Sequence, residues 1–192
     1  MITGDDLSMF LAVGALLHQL QTFNKSPAAR RTITLIILGT LIPVSVYHCW
    51  ADEIYVHQIT FASMVLLCGR KIRQLVREQI PSAEQRNRLL NLANAGLGTG
   101  VFGYLLWNID EHFCGHLTAV KHAIGMPWSF LFELHGWWHI CTGIGAYVGM
   151  AVVEYLVTIE EGKTDKIEEG FVWPVKAILR DFEGVTSAKK TK

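Results

Sequence analysis

Phe132-Glu133-Leu134-His135-Gly136-Trp137-Trp138-His139-Ile140-Cys141-Thr142-Gly143 lies at the head of an apolar run from Phe130 to Thr158. A run of that length can cross the hydrocarbon of a bilayer as one helix. Its two histidines are four residues apart. On a helix that spacing sets both imidazoles on one face, about a turn apart, where they can hold one metal ion. Hydrogen-bonded between packed helices, the same pair would be structural, and spacing alone leaves both readings open. Polar side chains at bilayer depth are costly and tend to be functional.

Working outward, the chain repeats this alternation of apolar blocks and charged joints. The blocks run over Leu7–Phe23, Thr32–Trp50, Ile54–Cys68 and Leu89–Ile109, with Phe130–Thr158 as the fifth. The second is the cleanest, and Pro43 is expected to kink it, which neighbouring helices can accommodate. The fourth carries Gly96, Gly98, Gly100 and Gly103, small residues that suit close helix contact in membranes. A polar loop is expected from Asp110 to Trp128. Of the 192 residues 51% are hydrophobic and only 18% charged, below the share of a soluble domain of this length. Mean hydropathy is positive. The pattern is that of an all-α, polytopic membrane protein with five transmembrane helices over residues 1–159, followed by a charged tail over 160–192.

Seventeen basic and seventeen acidic residues cancel, so charge gives no argument for a nucleic acid partner. Cys49, Cys68, Cys114 and Cys141 are too scattered for a zinc knuckle or a disulfide scaffold and read as free thiols. No signal peptide is visible. The joints after the first and third blocks are basic, with Lys25, Arg30 and Arg31 in one and Arg70 through Arg88 in the other. The Asp52-Glu53 turn and the joint after the fourth block are not. Positive charge favours the cytosolic side, which places the basic joints and the C-terminus there. Asp5 and the His135/His139 pair then fall at the opposite membrane face.

Several stretches resemble the alkaline ceramidases. Glu133-Leu134-His135-Gly136-Trp137-Trp138-His139 with Thr142-Gly143 resembles the signature of that family's last helix. Trp107-Asn108-Ile109-Asp110 with Phe113-Cys114, and Trp173-Pro174, resemble two further stretches. Asp5-Asp6-Leu7-Ser8-Met9 is similar to the family's Asp-Glu-Leu-Pro-Met, with Asp6 and Ser8 as departures. Jointly, in this order and spacing, the matches are specific, although each alone is weak.

The resemblance implies the C-terminal part of a seven-helix bundle, an intramembrane zinc amidase that hydrolyses ceramide to a sphingoid base and a fatty acid. His135 and His139 match two zinc ligands, and Asp5 matches the acid that positions or deprotonates the attacking water. The family's third zinc histidine, the serine of its Ser-x-x-x-His stretch and its calcium-binding segment have no counterpart here. Activity of the 192-residue chain by itself is therefore doubtful, and a Ca²⁺ site would lie in the N-terminal part that is missing. The alternatives are a non-catalytic membrane protein of the same ancestry and a related seven-helix, receptor-like protein. The Trp-Asn-Ile-Asp and His-Gly-Trp-Trp-His stretches favour the ceramidase branch.

Other candidates weigh less. Asp110 is expected to cap a helix at the interface, and His112 and His116 to be solvated in a loop. His48 and His57 flank the acidic turn, with packing or hydrogen bonding as the safer role and substitution for the absent ligand as the bolder one. Glu133 could orient an imidazole, while Trp137 and Trp138 fit helix packing or interface anchoring. Asn24-Lys25-Ser26 is a glycosylation sequon followed by Pro27 in a cytosolic turn, so it is expected to stay unmodified. Lys189 and Lys190, fourth and third from the end, resemble a dilysine retrieval signal, implying an endoplasmic reticulum membrane address with a cytosolic C-terminus.

Overall fold

The computed structural model describes residues 3–51 and 54–158. The Asp52-Glu53 turn, the tail over 160–192, Trp173-Pro174 and the two terminal lysines lie outside the described residues. Among those described, the order is α1 (Thr3–Thr22), α2 (Pro27–Ala51), α3 (Ile54–Gln79), α4 (Ala83–Ile124), a 3₁₀ turn (Trp128–Phe132) and α5 (Leu134–Thr158). The protein is an all-α membrane protein. By length and composition α2, α4 and α5 are apolar and long enough to cross a bilayer. Expected as spans as well, α1 and α3 are 20 and 26 residues long and are not among those three.

Contacts divide the chain into two compact units: α1–α3 with the last residues of α5 from Leu156, and Ser82 to Tyr155. In the first, apolar side chains recur at helical spacing. Phe10, Leu17 and Leu20 of α1 and Met64, Cys68, Ile72, Leu75 and Val76 of α3 are buried. α3 continues eleven residues past the expected edge at Cys68 because Arg70, Lys71, Arg73 and Arg77 are good helix formers on its outer face. The end of a membrane span is not the end of a helix. Pro81 stops it two residues beyond Gln79. α2 begins with Pro27 at its first position, and the Ser26 hydroxyl accepts the Ala29 amide at 3.3 Å. It continues unbroken through Pro43.

Thr34 Oγ1 donates to the Arg30 carbonyl at 2.9 Å, so the 2.8 Å contact between His18 Nε2 and Thr34 Oγ1 has the imidazole as donor. It joins the far end of α1 to α2. The outer face of α2, by contrast, is bare and apolar: Leu35, Ile36, Ile42, Val46 and Trp50 are each more than half exposed. Such a stripe is stable facing lipid and would be a liability facing water.

In the second unit α4 and α5 meet backbone to backbone. A methyl group on Gly145 would lie 2.6 Å from the Gly96 carbonyl oxygen, and one on Gly103 would lie 2.9 Å from Cys141 Cβ. These close approaches explain two of the four glycines singled out in the fourth block, while Gly98 faces open space.

The expected loop from Asp110 to Trp128 is mostly helix. α4 runs on to Ile124, bending where Phe113 takes φ −116° and ψ 17°. Asp110 is therefore interior to a helix and caps none, and His112 and His116 are exposed helical side chains. The polar residues there do not break the helix because they can point outward, and His112 Nδ1 lies 2.8 Å from the Asn108 carbonyl. What ends it is Gly125, at φ 70°, followed by Pro127.

Candidate metal centre

α5 starts immediately after the 3₁₀ turn, and its first turn carries His135. The Glu133 carbonyl accepts the Trp137 amide at 3.2 Å, closing that first turn. Helical spacing then does what the sequence required. The His135 and His139 rings lie 4.8 Å apart by their centroids, edge to face at 73°. Both are exposed.

Trp138 is the backing of the pair. It is buried, its ring centroid 5.3 Å from that of His135 and 4.4 Å from that of His139. Behind it, Trp107 of α4 packs at 6.4 Å. The packing role expected for Trp138 holds, and it extends to the imidazoles: an indole wall limits the orientations available to both rings. That link between the Trp-Asn-Ile-Asp and His-Gly-Trp-Trp-His stretches is invisible in linear sequence. Trp137 packs instead on Phe130 of the 3₁₀ turn, at 5.8 Å. Glu133, a candidate for orienting an imidazole, binds elsewhere: its Oε2 accepts Lys121 Nζ at 3.2 Å.

The donor set suits a borderline metal such as Zn²⁺: two imidazoles from one helix face, with ring nitrogens that serve as ligands when neutral. The rings stand close and edge to face rather than stacked flat.

Asp5 belongs to the first unit, in the first turn of α1, and is half-buried. The Ser8 hydroxyl donates to its backbone carbonyl at 2.7 Å. Its neighbour Asp6 is buried and forms a cluster that sequence reasoning missed. His48 Nε2 of α2 donates to Asp6 Oδ2 at 3.1 Å, and His57 Nε2 of α3 lies 3.9 Å from Asp6 Oδ1. All three side chains are at least 88% shielded. The His48 and His57 rings are 5.0 Å apart, and Phe10 packs on His57 at 4.5 Å. The available signal was the presence of His48 and His57 in two apolar blocks flanking one turn, facing an unusual acid pair at the head of a third.

The Ceramidase family model matches residues 1–181. Alkaline ceramidase YPC1 of Saccharomyces cerevisiae is 28% identical over 140 residues, covering 71% of this chain and 44% of that protein. Alkaline ceramidase 3 of Mus musculus is 26% identical over 152 residues, covering 79% of this chain and 54% of that protein. The chain thus spans about half the length of these curated relatives. No solved structure matches it.

Proposed function

Since the chain belongs to the ceramidase family, we propose that it serves hydrolysis of the ceramide amide bond within the membrane, giving a sphingoid base and a fatty acid. The observation that carries the reading is the His135/His139 pair, two tilted imidazoles 4.8 Å apart on the indole of Trp138 at the head of a membrane-length helix. His135 and His139 would hold zinc, which when bound supplies a Lewis acid and lowers the pKa of water.

The remaining chemistry falls to the chain's own groups. Water must lose a proton as its oxygen attacks the amide carbon, and the amide nitrogen must gain one as the C–N bond breaks. Asp5 is proposed as the group that takes that proton and returns it to the leaving amine. Its support is the family stretch it heads and the charge bias that puts it at the same membrane face as the histidines. Exposed apolar side chains around the pair, among them Phe130, Leu131 and Ile140, favour a substrate that arrives through lipid.

A fluorescent ceramide presented in mixed micelles tests the reading. Turnover by the expressed chain, however slow, that disappears in both His135→Ala and Asp5→Asn supports it. Turnover unchanged by either substitution would remove these residues from the reaction. For the address, the proposal is an endoplasmic reticulum membrane with a cytosolic C-terminus. Lys189→Ser with Lys190→Ser should leave the protein membrane-bound but let it reach the Golgi, and an unchanged reticular pattern would reject the retrieval signal.

A further inference from the structure

We infer that Asp6, hydrogen-bonded to His48 and facing His57 at 3.9 Å, is a positioning residue that fixes the rotation of α1 and thereby aims the Asp5 carboxylate. The inference rests on the proposed role of Asp5.

Neighbouring residues on an α-helix point about 100° apart, so Asp5 and Asp6 cannot face the same way. The structure resolves which does what: Asp6 is buried against α2 and α3, whereas Asp5 is only half-buried. Apolar contact is non-directional and would leave a helix such as α1 room to turn or slide. A charge-assisted hydrogen bond is directional, and in a dry environment it is expensive to break.

Aromatic rings surround His57. The His57 ring is fenced by Phe10 at 4.5 Å, His48 at 5.0 Å and Phe61 at 6.2 Å. Phe10 lies one turn after Asp6, on the same face, so the carboxylate and the phenyl ring seat together. At the other end of α1, His18 donates to Thr34. Two polar contacts twelve residues apart on one helix, about 18 Å, oppose both rotation and sliding.

The test has one arm independent of activity. Nitroxides are placed at Gly4→Cys in α1 and Trp50→Cys in α2, both exposed, in a chain whose four native cysteines are serine. The inter-label distance is measured by pulsed electron resonance. It should be narrow in the parent, broadened or shifted in Asp6→Leu, and restored in Asp6→Asn, whose amide oxygen can still accept from His48. In the kinetic arm, Asp6→Leu should lower kcat about 10- to 100-fold, as misplacement of a reacting group by about 1 Å does, with KM within about twofold. The same change in an Asp5→Asn background should cost nothing further.

An unchanged distance in Asp6→Leu overturns the inference whatever the kinetics. So does an equal loss of turnover with and without Asp5, which would make Asp6 merely structural. If Asp6→Leu fails to fold, His48→Leu removes the same bond from the other side and should give the same shift. If no variant turns over ceramide, the distance arm upholds or overturns the grip on its own.

Discussion

Two histidine pairs in this protein have similar ring separations and opposite surroundings. His48 and His57, 5.0 Å apart, are buried and face a buried carboxylate. His135 and His139, 4.8 Å apart, are exposed and back onto an indole. Burial with an acid turns the first pair into a fastening between helices. Exposure on one helix face, with the rings oriented by Trp138, keeps the second pair available to an ion. Residue type and ring spacing do not distinguish the two pairs; the company they keep does.

The contrast can be broken most easily where the expected effects are largest. Asp5→Asn should lower ceramide turnover about 100- to 10,000-fold, the usual range for a proton-transfer group, with thermal stability unchanged. Asp6→Ala should instead lower stability by about 1–3 kcal/mol, since it strands the His48 donor in a buried site. Measuring both properties for both variants checks the division. The reverse pattern, a stable but inactive Asp6→Ala and an unstable Asp5→Asn, would exchange the roles of the two acids.

Close packing sharpens the comparison of the two units. Gly145→Ala drives a methyl group toward the Gly96 carbonyl oxygen, and backbone cannot easily give way. A cost of about 1–3 kcal/mol is expected. Gly14→Ala meets only Leu41 Cδ1, the end of a flexible side chain, so less than about 1 kcal/mol should be lost. Gly98→Ala meets nothing within 4 Å and should stabilise by about 0.5–1 kcal/mol, the helix preference of alanine over glycine. Thermal unfolding in detergent ranks the three. The smallest effect is expected at Asn24, in the turn between α1 and α2, where endoglycosidase should produce no mobility shift. A shift abolished by Asn24→Gln would reverse the membrane orientation that places Asp5 opposite the basic joints.

Five helices were legible from hydropathy because apolar blocks and charged joints alternate cleanly. The helix ends were less so, for two physical reasons. Charge marks where lipid stops, while a helix such as α3 continues through Arg70 and Arg77 until Pro81 prevents it. Polar composition likewise made residues 110–124 look like loop, although the helix runs through Gly115 and ends only at Gly125, with Pro127 beyond. The juxtaposition of His135 and His139 was legible because i and i+4 is a local relation. The Asp6–His48–His57 cluster joins residues 42 apart and more, and its members look alike whether buried or wet. Only packing tells them apart.

The most direct measurement is the zinc content of the purified protein, per chain, compared across the two histidine pairs. Zinc should be held by the parent chain and retained in His48→Leu. It should be lost in His135→Ala with His139→Ala, with a fall in affinity beyond the roughly 10- to 100-fold that removal of an outer partner causes. Equal zinc in the parent and in the His135→Ala, His139→Ala variant would contradict the account, as would loss of zinc on changing His48 alone.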